Sequence, residues 1–413
     1  MRINKINISQ QLIVVFLGII ILTGLLWVNF QFSQNNPGGN DFLVHYIGTR
    51  SFLYEGVSPY SDEVALRIQT AAYGHPAQGP EHELRVAYPL YSIILFAPFS
   101  IIPDFELARA IWMTVLEISL VGMCFLVLNL FDWKPSLLVQ AMLLLFSLLW
   151  YHAVRGIVNG NAVILVAFAI TLALLLLKRH KDQSAGLLLA LTTIKPQLVV
   201  LLIPILLFWG WRSRRGVFLA WFFGSLLALF SFGWLLIPDW IMQNLWEILR
   251  YPGYNPAGTL AEALAEWLPA FETQLKWGIA SLLGILLVYE WSKIKKDNFN
   301  RLIWTAMLTL TVSQWIGIQT DPGNFIILFP ALILVISILC KKWETQEIWI
   351  TGGILGFLLI GLWILFVVTI QRTYQPVQNP VMFIPVPAFC LIGLYWVKWW
   401  VIGALPQEWI TAA

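Results

Sequence analysis

Apolar runs, several reaching the roughly 20 residues a bilayer-crossing helix needs, alternate with short basic or polar stretches along most of the chain. The first, over residues 11–30, follows a polar segment carrying Arg2 and Lys5. It is too long for a signal-peptide core, and Trp27, Asn29 and Phe30 close it where a cleavage site would need small residues. It reads as a first transmembrane helix. Further spans are predicted over 106–131, 135–151, 157–177, 216–237, 275–291, 302–318, 325–340, 348–370 and 381–401. Two stretches fit badly. The run 89–102 is short and contains Pro98, and the run 184–210 is interrupted at Lys195-Pro196.

Charge placement decides what those two are. Basic clusters at Lys178, Arg179 and Lys181, at Arg212, Arg214 and Arg215, at Lys293, Lys295 and Lys296, and at Lys341 and Lys342 hold 11 of the 25 Lys and Arg. All should be cytoplasmic. Residues 31–87 carry six Asp or Glu against three Arg, and 238–275 carry five against one, so both read as outer segments. Parity then forbids 89–102 a full crossing. It also makes 184–210 enter and leave on the cytoplasmic side, as a hairpin of two short helices with Lys195 and Pro196 at its tip. At about 1.5 Å per residue its arms reach roughly 16 and 21 Å, past the bilayer midplane.

The expected architecture is therefore an all-α polytopic membrane protein of about ten full transmembrane helices plus a broken-helix hairpin, or twelve spans if each arm is counted. One domain, 1–413, would contain a first outer loop with interfacial helices (31–103), the hairpin (184–210) and a second outer loop (238–274), with both termini cytoplasmic. Composition agrees: 59% of the 413 residues are hydrophobic and 11% charged, which excludes a soluble fold of this length. Cys124, Cys340 and Cys390 lie in apolar runs and suggest neither disulfides nor a zinc site. Nucleic-acid binding has no support.

Unexplained polar residues collect on the outer side. The mixture of residues from Phe42 to Glu55 suggests an amphipathic helix on the membrane surface, ended by Gly56, with Ser58-Pro59-Tyr60 turning the chain. Asp41 and His45, four apart, share a face of it; Asp41 is otherwise an ordinary helix N-cap. Arg155, Asn159, Gly160 and Asn161 occupy one outer junction, and Asp321-Pro322-Gly323-Asn324 another. Lys195, inside the bilayer, demands a counter-charge or a function; Glu117 is one available partner. Arg109 and Glu117 could simply pair within the bundle.

These residues carry a resemblance. Asp41-x4-Tyr46, then Glu55-Gly56-x-Ser58-Pro59-Tyr60, Tyr88-Pro89 with its apolar run to Pro98 and Pro103, Asn159-Gly160-Asn161, and Ala185-Gly186 leading to Ile194-Lys195-Pro196 resemble glycosyltransferase family 87. The resemblance covers roughly residues 40–215. It implies a C-type membrane glycosyltransferase fold, a polyprenyl-phosphate sugar donor (mannose or another hexose), a glycan or glycolipid acceptor outside the cytoplasm, and inversion at the anomeric carbon. It further implies a plasma-membrane enzyme with Asp41 as catalytic base. Lys195, with Arg155 as a second candidate, would face the lipid phosphate. Asn159, Asn161, His45, Tyr46, Tyr60, Tyr88 and Asn324 would complete the substrate-binding set. No cofactor and no divalent metal are required. Two other readings stay open: a transporter or flippase of a lipid-linked substrate, since a broken intramembrane helix beside a charge also suits transport, and an inactive relative serving as a scaffold, because no His stands near Asn324.

Overall fold

The computed structural model of the chain describes residues 8–79, 81–255, 258–296, 298–316, 321–370 and 378–402, and every regular element among them is helical. Helix α1 (Ile8–Asn35) is a single apolar rod of 28 residues that packs along α5 (Phe105–Leu130) and leaves most of its side chains exposed, as a lipid-facing helix does. Two glycines turn the chain into α2 (Asn40–Glu55), and Gly56, left-handed at φ 69°, stops it by donating to the Phe52 carbonyl at 3.0 Å. Ser61 caps α3 (Asp62–Tyr73) by accepting from the Val64 amide at 3.2 Å.

Residues 89–102 do not cross. They form one 3-10 turn and the eight-residue helix α4 (Ile93–Ser100), too short for a bilayer. Helix α2 packs against both α3 and α4, burying Phe42, Leu43, Val44, His45, Tyr46, Gly48, Thr49 and Ser51. The expected surface-lying amphipathic helix is thus corrected: buried residues occupy successive positions around its first two turns, leaving no continuous polar face there.

After α5 come α6 (Leu137–Leu149) and α7 (Tyr151–Asn159), bent 47° to one another at Trp150, then α8 (Val163–Lys178). The 184–210 stretch is α9 (Asp182–Leu191), a 3-10 turn, Lys195, the single turn α10 (Pro196–Val199) and α11 (Leu202–Arg212). Its two ends lie together, because Arg215, just beyond α11, pairs with Asp182 at the start of α9 and donates to the Leu177 carbonyl at 2.8 Å. The arms do not pack on each other. Helix α12 (Gly216–Leu236) fills the space between them: a Cβ on Gly186 would lie 2.6 Å from the Phe218 carbonyl oxygen, and one on Gly210 2.8 Å from the Phe218 ring.

Helices α13 (Trp240–Tyr254) and α14 (Leu260–Ala265) precede α15 (Glu272–Ser292), α16 (Phe299–Ser313), α17 (Phe329–Lys342), α18 (Glu347–Thr369) and α19 (Pro385–Ile402). Helix α16 from Arg301 to Ser313 is wholly buried, and α17 nearly so. Among the described residues seven helical stretches are long and apolar enough to span a bilayer, eight if the bent α6–α7 pair counts as one. The expected ten full spans are not reached among them. The 157–177 window ran across the Gly160-Asn161 turn, which leaves α8 only 16 residues, and α16 has 15. Part of the 302–318 window, 317–318, lies outside the described residues, as do most of both termini.

All four basic clusters gather at one end of the bundle. Lys178 and Lys341 donate to the adjacent carbonyls of Leu130 and Phe131 at 2.8 and 2.7 Å. Arg215 reaches Leu177, Arg212 donates to the Ile294 carbonyl at 3.3 Å, and Ser213 to that of Lys296 at 3.2 Å. The two acid-rich segments also meet each other. Arg85 holds Glu247 through two hydrogen bonds of 2.7 and 3.0 Å, and Asn244 donates to the carbonyls of Ala87 and Tyr88 at 3.0 and 3.2 Å.

Candidate active site

Three chain breaks deliver the polar residues. At the first, Gly38 and Gly39 adopt φ of 138° and 78°, a backbone that side chains with a Cβ resist, and place Asp41 in the opening turn of α2. Gly39, not Asp41, is the N-cap. At the second, Gly160 ends α7 at φ 70°, and Asn161 follows with its Oδ1 accepting from the Val163 amide at 2.9 Å, which caps the start of α8. At the third, Pro196 has no amide hydrogen to offer and disfavours helix at the residue before it, so Lys195 takes a non-helical φ of −123° and ψ of 77°. Tyr91 pins this tip by donating to the Thr193 carbonyl at 3.1 Å.

The Lys195 ammonium, on a residue 4% exposed, donates to Asn161 Oδ1 at 2.6 Å and Asn324 Oδ1 at 2.8 Å, and lies 5.6 Å from the centre of the Tyr88 ring. Both acceptors are neutral amides. Asn161 also lies beside Asp41, so its side chain joins the acid of the first outer segment to the amine of the hairpin tip. Asp41 is partly buried, and loss of water raises its carboxyl pKa from 3.8 to about 6, against the opposing pull of Lys195 and Arg155 and with a further push from Asp321. His45, on the same face of α2, is stacked between Tyr88 and Phe96 with ring centres 4.1 and 4.4 Å away. Burial holds it neutral, its pKa lowered to about 3, and the nearby Lys195 charge adds to that.

Arg155 and Asp321 form a two-point ion pair, 3.0 and 2.6 Å, which ties α7 to the 3-10 turn Pro322–Leu328. Arg155, the second candidate for the phosphate-facing cation, is thus paired with Asp321. Asp321 also caps that turn by accepting from the Gly323 amide.

Other expected site residues do different work. The Tyr46 hydroxyl donates to the Ile102 carbonyl at 2.7 Å, and Tyr60 to the Tyr88 carbonyl at 2.7 Å; both brace the outer segment. Asn159 is the last, half-buried residue of α7, and the α7–α8 junction residue that bonds Lys195 is Asn161. The half-buried Tyr88 ring lies 4.1 Å from the His45 ring centre and 5.6 Å from the Lys195 ammonium. Glu117 is not the partner of Lys195: it accepts from Asn29 at 2.8 Å. Nor does it pair with Arg109. Eight residues along a helix is about 12 Å, too far for contact. Among the described residues no group of three metal-ligating side chains occurs.

A carboxylate with a raised pKa, a cation held by neutral oxygens and an asparagine between them can take a proton from a hydroxyl and oppose charge growing on a leaving oxygen. No curated protein and no solved structure matches the chain. The sequence model of Glycosyltransferase family 87 does, over residues 87–314, more than half of the chain, and that stretch includes Asn161 and Lys195 but neither Asp41 nor Asn324. The chain belongs to glycosyltransferase family 87.

Proposed function

We propose that this protein is an inverting glycosyltransferase that moves a hexose, mannose in the first instance, from a polyprenyl-phosphate donor to the hydroxyl of a glycan or glycolipid on the extracytoplasmic face of the plasma membrane. The acceptor oxygen forms a bond to the anomeric carbon as the bond from that carbon to the phosphate oxygen breaks. The hydroxyl proton passes to Asp41, and the electron pair leaves with the polyprenyl phosphate. Lys195 opposes the charge that develops there.

The observation that carries this reading is the Asp41, Asn161 and Lys195 arrangement. Among the described residues Lys195 donates to two amide oxygens and has no carboxylate within ion-pair distance, so its charge remains available to an approaching anion. With Arg155 paired to Asp321, the Lys195 ammonium at the Asn161–Asn324 cluster suits a single phosphate better than a diphosphate. A base near pKa 6 is ionised at neutral pH yet stronger than an ordinary carboxylate. The short apolar α4, with Ile94 and Ile101 exposed beside it, offers a surface for a prenyl chain. The gathering of basic clusters at one end supports placing that end and both termini in the cytoplasm.

The direct test gives purified protein in detergent a polyprenyl-phosphate mannose and measures transfer and donor hydrolysis. Asp41→Asn should lose transfer while still binding donor. Full activity in that variant would remove Asp41 as the base.

A further inference from the structure

Arg109 is a buried cation, 1% exposed, with no carboxylate in ion-pair distance among the described residues. Its Nη1 donates to the Asn36 carbonyl at 2.7 Å, at the end of α1, and its Nη2 to the Val158 carbonyl at 3.0 Å, near the end of α7. Between them its side chain lies against the glycine turn: a Cβ on Gly39 would be 2.5 Å from Arg109 Nε. One turn along the same face of α5, Trp112 donates from its indole to the Gly160 carbonyl at 2.8 Å and stacks on Phe42, ring centres 5.4 Å apart. A Cβ on Gly160 would in turn meet the Phe42 Cβ at 2.5 Å. So α5 touches both sides of the site. Gly39 is two residues before Asp41, and Val158 is three before Asn161.

We infer that Arg109 is a positioning residue that fixes the turn presenting Asp41 against the turn presenting Asn161, and so sets the spacing between the base and the amide that leads to Lys195. This rests on the proposed role of Asp41. The guanidinium suits the task because its fork can donate to two carbonyls in fixed directions, and its charge is met by those peptide dipoles and, at longer range, by Glu106 three residues earlier on α5. Lysine could reach the same carbonyls with less fixed geometry, and methionine could fill the space with no donor.

The test compares Arg109→Lys and Arg109→Met in the full-length protein, after size-exclusion chromatography has confirmed equal folded yield. Infrared difference titration, with Asp41→Asn as the subtraction, reads the Asp41 pKa without any substrate. Native protein should show about 6, Arg109→Lys close to that, and Arg109→Met a fall toward 3.8 as water enters the loosened turn. With polyprenyl-phosphate mannose as probe, Arg109→Met should lose about tenfold or more in kcat with donor KM little changed. A folded Arg109→Met protein with native Asp41 titration and native kcat overturns the inference. If Arg109→Met fails to fold, Trp112→Phe, which keeps the ring and removes the donor to Gly160, replaces it under the same criteria. Full transfer by Asp41→Asn would instead refute the base role, while the infrared result still decides the positioning.

Discussion

Asn161 accepts a hydrogen bond from Lys195 at 2.6 Å while lying against Asp41, so one amide separates a carboxylate from an ammonium that come from segments about 150 residues apart in the chain. The amide keeps the two charges near without letting them cancel. Replacing it should be costly in either direction. Asn161→Leu leaves the ammonium with one acceptor, and a drop of about 10²-fold in kcat is expected, the scale of losing one oriented donor or acceptor in a site. Asn161→Asp should bind Lys195 as an ion pair and weaken donor binding, read as a raised KM in steady-state assays.

The rate should follow the ionisation of Asp41. A base works only when deprotonated, and this one has its pKa raised to about 6 by burial, so kcat/KM should fall about tenfold per pH unit below that value. An acid limb centred near 4 would mean the carboxyl is solvated in the working enzyme and would remove the argument for a tuned base.

Lys195→Ala should weaken donor binding or slow departure of the phosphate by about 10²-fold or more, and Lys195→Arg should recover only part, since a planar fork cannot take the place of an ammonium held by two amides. Isothermal titration with polyprenyl phosphate, the leaving product, would separate binding from chemistry. Native affinity and native kcat in Lys195→Ala would take the amine out of the site.

The Arg155 and Asp321 pair should behave as a brace. Both side chains are just over a quarter exposed, at 27% and 28%, so removing one partner should cost about 1–3 kcal/mol, below the range for a fully buried pair. Removing both, as in Arg155→Met with Asp321→Leu, should cost less than Asp321→Leu alone. Thermal unfolding of the single and double variants in detergent gives the coupling.

Cysteines at positions 184 and 213 should react from the same side of the membrane, because the Arg215 to Asp182 pair holds the two ends of the hairpin together. Gly186→Leu should destabilise the fold by about 1–3 kcal/mol or prevent it, since the nearest obstacles are backbone atoms of α12 at 2.6 and 2.8 Å and cannot move aside. Labelling from opposite sides would contradict the arrangement.

Some of this was legible in the residues themselves. Apolar runs and charge clusters are local properties, and they marked the membrane helices, the break at Lys195-Pro196 and the shared end of the basic clusters. Asp41, Asn161, Lys195 and Asn324 stood out because polar side chains between spans have few ordinary uses. The pairing of those residues was not legible. Nothing in the chain says that Arg155 will find Asp321 across 166 positions, or that Arg109 will grip carbonyls instead of Glu117. Span lengths were hard to read for a related reason: α16 is only 15 residues long and its side chains from Arg301 to Ser313 are all buried, which an apolar run does not announce.

Because Phe218 of α12 occupies the notch between Gly186 and Gly210, the arms cannot slide or close. The position of the amine along the bundle is thus set by helix packing, at a fixed remove from the end where the basic clusters gather, and not by the thickness of whatever surrounds the helices.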